Sequence, residues 1–344
     1  MNDRARRQVA AWLMACAAMV AAMVVVGGVT RLTHSGLSIV EWKPLVGTIP
    51  PLSQADWMAL FDKYKQTPEY TKVNLGMSLE GFQSIFWWEY FHRLLGRAIG
   101  LVFALPLVWF VVKRAISRAI ALRLGGIFLL GGLQGAMGWY MVASGLVDQP
   151  RVSQYRLAAH LGLAFAILGL ILWVALDLWP AQGAKPASTS LRRGALWLSA
   201  LVFVMVISGA FVAGTHAGFQ FNTFPLMAGQ IIPSGGFAMT PWWKNPFENV
   251  LLVQLDHRLL AYVVTAAVIA MWARARKAAE ISPRARLAAH ALLAALGLQV
   301  GLGIATLLLV VPVALAAAHQ AGAVVLFSVA VWLARDLAPA PAEA

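Results

Sequence analysis

Eight long apolar runs divide this chain, and no other feature limits its fold so severely. They fall at about 9–30, 90–112, 122–144, 156–178, 194–215, 250–272, 287–310 and 313–334. A bilayer-crossing helix needs roughly 20 predominantly apolar residues. Inside hydrocarbon, every backbone N–H and C=O must be bonded within its own segment. Runs of this length therefore predict eight membrane-crossing α-helices. The composition agrees, with 60% hydrophobic and only 12% charged residues, against roughly a quarter charged in ordinary soluble domains. The first run follows Arg4, Arg6 and Arg7, as a signal peptide would. It is nevertheless long enough to span, and it ends in Arg31-Leu32-Thr33-His34 rather than a small-residue cleavage site. It is predicted to remain as a helix.

The net charge of +13 suggests a nucleic-acid partner until its distribution is read. Basic residues gather at the N-terminus, at Lys113, Arg114, Arg118 and Arg123, across 185–193 and across 274–286. Those are alternate connections of an eight-span chain. The excess of Lys and Arg in short cytoplasmic loops puts all of them, and both termini, inside. The acids Glu41, Asp56, Asp62, Glu69 and Glu80 fall in one outer connection, 31–89. The charge is a topology signal, and no nucleic acid is expected. The one cysteine, Cys16, allows no intrachain disulfide, and there is no Cys-x-x-Cys-His motif for covalent haem attachment.

The chain also repeats itself. Leu133-Gln134-Gly135-Ala136-Met137-Gly138 matches Leu298-Gln299-Val300-Gly301-Leu302-Gly303, and His92-Arg93-Leu94-Leu95 matches His257-Arg258-Leu259-Leu260, both 165 residues later. Ala158-Ala159-His160 answers Ala317-Ala318-His319, and Thr33-His34-Ser35-Gly36 answers Thr215-His216-Ala217-Gly218. Four correspondences in one order predict an all-α polytopic protein of two pseudo-symmetric four-helix bundles, 1–180 and 190–344. Parallel repeats of this kind are common in membrane proteins. A polar Ala/Ser/Lys/Pro-rich join is expected around 181–193.

Two outer connections are long. In the first, Ser53 and Asp56 read as a capping box, followed by Trp57, Leu60, Phe61 and Tyr64 at helical spacing. That pattern predicts an amphipathic helix on the membrane face or over a site below. The second, about 216–249, holds Phe221-Asn222-Thr223-Phe224-Pro225, a Gly235-Gly236 turn and an interfacial Pro241-Trp242-Trp243. Function is expected on this outer side.

Four of the seven histidines, His92, His160, His257 and His319, lie near the outer ends of even-numbered spans. A six-coordinate haem iron takes one axial ligand from each face of the ring, often histidines of different helices. Two histidines per half meet that need twice. A lone histidine near a span end is more often an interfacial residue, but four at matched places favour ligands. Arg93, Arg97 and Arg258 suit haem propionates through paired donors. His34 and His216 lie in loops and suit propionate or loop contacts better than iron. The glycines at 131, 132, 135 and 138, and at 297, 301 and 303, would admit a flat macrocycle or a close helix.

The halves also differ. Glu89 lies three residues before His92, where the second half has Gln254 before His257. One helical turn puts that carboxylate on the face of the histidine. There it would take a proton or stabilise developing positive charge. The plainer reading is that Glu89 pairs with Arg93 or caps the helix start.

Taken as a set, several motifs resemble the haem A synthase family, in the branch shared by mitochondria and proteobacteria. They are Gly27-Gly28-Val29-Thr30-Arg31-Leu32-Thr33-His34-Ser35-Gly36-Leu37-Ser38, Thr67-Pro68-Glu69-Tyr70, Glu89-Tyr90-Phe91-His92-Arg93, Phe221-Asn222-Thr223-Phe224-Pro225-Leu226-Met227 and Asp256-His257-Arg258. The resemblance covers nearly the whole chain. It implies oxidation of a porphyrin methyl of haem O to a formyl group by successive hydroxylations, giving haem A for cytochrome oxidase. It assigns a resident, non-covalent haem b to His257 and His319, the substrate haem to His92 and His160, and the family's essential acid to Glu89. It further implies the bacterial inner membrane with the haem sites near the periplasm. The partners it implies are membrane lipid, an electron acceptor, the farnesylating enzyme that makes haem O, and further copies of the chain. Gram-positive relatives carry cysteine pairs in outer loops. This chain has none, so no thiol step is expected. Two other classes also want four such histidines: a di-haem electron carrier or quinol oxidoreductase, and a haem transport or insertion protein. A carrier would spread its haems across the bilayer, whereas all four histidines here gather on one side.

Overall fold

The computed structural model describes residues 1–42, 46–145, 152–179, 187–279 and 281–339. The first part of the inter-half join, 181–186, lies outside the described residues. The helices, in chain order, are α1 (Asp3–Leu32), α2 (Gln54–Lys65), α3 (Pro68–Lys72), α4 (Leu79–Val112), α5 (Arg118–Gly145), α6 (Gln154–Asp177), α7 (Thr189–Gly214), α8 (Asn245–Glu248), α9 (Val250–Lys277), α10 (Pro283–Leu308) and α11 (Val313–Asp336). Eight of them, α1, α4, α5, α6, α7, α9, α10 and α11, are long and apolar enough to cross a membrane, one for each predicted run.

The pairing of these helices repeats. In the first half α1 packs on α4 and α6, and α5 packs on the same two. In the second, α7 packs on α9 and α11, and α10 again packs on both. Each set closes a ring of four. The rings meet through α1 and α6 on one side and α7 and α11 on the other, and one apolar core runs through both. Hydrocarbon gives helices no hydrophobic reason to associate, so close packing and interhelical hydrogen bonds must hold such a seam. Two such bonds cross it at one end. Gln320 on α11 donates to the Val24 carbonyl on α1 at 2.6 Å, and Arg31 at the end of α1 donates to the Ala213 carbonyl near the end of α7.

The first outer connection is more ordered than its length suggests. The capping box forms as expected: Asp56 N–H donates to Ser53 Oγ at 3.1 Å, and Ser53 N–H donates to Asp56 Oδ2 at 3.0 Å. Those hydrogen bonds, the one from Ser53 foremost, hold the Asp56 carboxyl below its usual range. Helix α4 begins at Leu79, well before the apolar run opens at 90. Its early turns stand out of the bundle as a post of aromatic residues. Helix α2 lies against that post, with Phe61 and Tyr64 buried against Phe82 and Trp57 packed against Phe86.

Candidate functional site

Each of the four shared histidines leans on a glycine of the neighbouring helix. A Cβ placed on Gly27 of α1 would lie 3.1 Å from His92 Nε2 of α4, and one on Gly138 of α5 would lie 3.2 Å from His160 Cε1 of α6. In the second half, Gly209 of α7 faces His257 Cε1 of α9 at 3.4 Å, and Gly303 of α10 faces His319 Cε1 of α11 at 2.8 Å. A glycine at these places lets an imidazole lie on bare helix backbone. All four contacts join the ends of α1, α5, α7 and α10 to the beginnings of the bundle portions of α4, α6, α9 and α11, so the histidines gather at one end of the molecule. The histidines divide by half, His92 and His160 in the first ring of helices and His257 and His319 in the second.

Second partners then place the rings. Gln134 Nε2 lies 3.3 Å from His160 Nε2 and donates to the His160 carbonyl at 3.1 Å. Its repeat partner, Gln299, packs against Gly322 one turn below His319. Ser208 Oγ lies 3.2 Å from His257 Nδ1. In the sequence Gln134 and Gln299 stand within a repeated motif with no role attached, and Ser208 does not stand out at all. The signal was available: a polar side chain inside an apolar span must find a partner.

Buried polar atoms left without partners test whether haem suits these pairs. Nδ1 of His160 and of His319, and Oε1 of Gln134 and of Gln299, are all buried and lack hydrogen bonds among the described residues. They come in matched sets, one per half, around the paired imidazoles. Unmet buried groups are rare in folded proteins and mark sites completed by something else. Paired imidazoles from different helices are the donor set of a low-spin haem iron. Among the described residues no three His, Cys, Asp or Glu side chains gather as a bare metal ion would require. The residues fit haem.

The neighbouring arginines are tied down. Arg93 donates from Nε to Glu89 Oε1 at 2.6 Å, from Nη1 to the Glu41 carbonyl at 3.0 Å and from Nη2 to the Ile39 carbonyl at 2.8 Å. Arg258 repeats the pattern: Nη2 donates to Gln254 Oε1 at 3.1 Å and to the Phe221 carbonyl at 2.8 Å. Both arginines clasp a loop to the helix that bears the histidine. Arg97 follows one turn after Arg93 on α4, where the second half has Tyr262. His34 and His216 each follow the end of a first helix in the left-handed region, φ 55° and 58°, and each N–H bonds back to the helix, to the Arg31 and Ala213 carbonyls. The pair at Glu89 and Arg93 is almost dry, with 4% and 9% of the side chains exposed.

A family model described as cytochrome oxidase assembly protein matches residues 10–331. The chain is 60% identical to a protein named Heme A synthase from Nitrosospira multiformis, over 96% of this chain and 94% of that relative. It is 55% identical to one of the same name from Nitrosomonas eutropha, over 96% and 93%, and 52% identical to another from Parvibaculum lavamentivorans, over 98% and 96%.

Proposed function

The chain belongs to the haem A synthase family of cytochrome oxidase assembly proteins, and from that premise we propose that it oxidises a porphyrin methyl of haem O, through a hydroxylated intermediate, to the formyl group of haem A. The observation that carries the reading is the double set of paired histidines, each ring laid on a glycine, at one end of a membrane bundle. Two sites side by side suit a substrate and a redox cofactor of the same chemical kind. That grouping also weighs against a carrier moving electrons from one face of the bilayer to the other.

His257 and His319 would hold a resident haem b, and His92 and His160 the substrate haem O. A bound haem b supplies one-electron redox chemistry beside the substrate. The chain's own groups do the rest. The substrate half alone has a carboxylate three residues before its first histidine, Glu89 where the other half has Gln254; the second half's own acid, Asp256, directly precedes His257. Arg93 holds Glu89 Oε1, which leaves Oε2 to take the proton released from the methyl carbon, or to stabilise positive charge there as electrons leave through the ring. A carboxylate fixed by a buried arginine needs no reorganisation at that moment. The aromatic post and the loops clasped by Arg93 and Arg258 close the outer end and limit water. By the sign of its loops, that end is the periplasmic one, with both termini in the cytoplasm. The enzyme that farnesylates haem would supply the substrate.

Extracting pigment from purified protein tests the reading. The wild type should yield haem b together with haem O, its alcohol or haem A. Glu89→Gln should keep haem b and stall at haem O or the alcohol. Haem b alone in both proteins would instead favour an electron carrier, and normal haem A output from the variant would remove Glu89 from the chemistry.

A further inference from the structure

The two halves support their histidines differently. Ser208 stands one residue before Gly209 on α7, and its hydroxyl meets His257 Nδ1 at 3.2 Å. The matching residue before Gly27 on α1 is Val26, and among the described residues no side chain hydrogen-bonds the His92 ring. In the first half the histidine with a side-chain hydrogen bond is His160, and the bond comes from Gln134 to Nε2. So one half grips an imidazole at Nδ1, and the other touches one at Nε2.

The distinction has chemical weight. A neutral imidazole carries one proton, and the hydrogen bond made by one ring nitrogen decides which nitrogen is left for a metal. When Nε2 of His257 holds a metal, the ring proton is left on Nδ1, where Ser208 Oγ at 3.2 Å is placed to accept it. Such outer-shell bonds also raise ligand basicity, and removing one commonly costs 10- to 100-fold in metal affinity. Gln134 meets His160 at Nε2 instead, the nitrogen that His257 leaves free.

We propose that Ser208 is a positioning residue that fixes His257 through Nδ1 and so makes the second half the retaining site, while the first half, with Val26 in its place, is built to exchange its haem. The proposal rests on the assignment of haem b to His257 and His319.

The test uses the full-length protein purified in detergent with its haem, and excess apomyoglobin as the acceptor of released haem. Ser208→Val should release haem b at least about tenfold faster than wild type. It should also raise the haem b midpoint potential, because a less basic imidazole stabilises ferric iron less. Ser208→Thr keeps the hydroxyl and should restore both. Val26→Ser should slow release from the first half. If Ser208→Val keeps the wild-type release rate and midpoint potential, the inference is overturned. If Ser208→Thr behaves as Ser208→Val does, the effect is one of packing and the inference is likewise overturned. His257→Ala separates this from the underlying assignment. If haem b stays bound in that variant, the assignment itself is wrong; if it is lost while Ser208→Val is silent, only the role of Ser208 falls.

Discussion

Glu89 and Gln254 occupy the same place in two copies of one helix, and each accepts a hydrogen bond from an arginine one turn further on. The second half thus shows that an amide can take the carboxylate's place as the arginine's acceptor. That separates structure from chemistry at position 89. Glu89→Gln should leave thermal stability in detergent within about 1 kcal/mol of wild type, while conversion of haem O drops by roughly 10² or more. Glu89→Ala is a different experiment. It strands the Arg93 guanidinium in a nearly dry site, and breaking a buried pair from one side costs about 3–5 kcal/mol. Melting curves of the two variants would show the contrast. Equal stability for both would mean that water reaches Arg93.

At the level of the helix, what matters about a glycine is what lies opposite it. On α10, a Cβ at Gly303 would come 2.8 Å from the His319 ring, whereas one at Gly301 would meet nothing within 4 Å. Gly303→Ala should displace the imidazole and weaken haem b retention. Gly301→Ala should bind normally and add about 0.5–1 kcal/mol through helix propensity. The haem content of the two purified proteins decides it. The outer helices carry a pH-dependent element of their own. Glu69 on α3 is buried, and its Oε2 has no hydrogen-bond partner among the described residues. Burial pushes its carboxyl up to about 7 from a usual 4.5. The folded form keeps a proton that the unfolded chain gives up, so this contribution to stability is full below pH 4.5 and is lost as pH rises through about 7. Glu69→Gln should flatten the melting temperature across that window, and an unchanged slope would place the titration elsewhere. The helices, the capping box and the repeated histidines were all legible in the sequence, because each is a pattern of residue types at fixed spacing. The early start of α4 was not, since its aromatic turns read as outer loop. The roles of Gly27, Gly209, Ser208 and the clasping arginines depend on which helix faces which, and spacing along one chain does not carry that.

Polar groups cross the seam between the two rings of helices, and two of these bonds lie beside the histidines. Gln320 follows His319 directly and reaches over to the Val24 carbonyl. Its amide oxygen lies against Gly28, next to the glycine that backs His92. The matching residues in the other copy are Leu161 and Ala210, so this contact is made once, not twice. A methyl at position 28 would push the Gln320 amide away and break its bond to α1. Gly28→Ala should therefore destabilise the protein by about 1–3 kcal/mol, and Gln320→Ala by about 0.5–1.5 kcal/mol. The double variant should cost clearly less than the two together, because the second change removes the group that the first one crowds. A double-mutant cycle on melting in detergent measures this coupling, expected at about 0.5–3 kcal/mol. Additive losses would mean that Gly28 and Gln320 act independently, and that the halves are registered by the other contacts across the seam, the Arg31 bond to Ala213 and the Arg335–Asp177 pair among them, and by apolar packing.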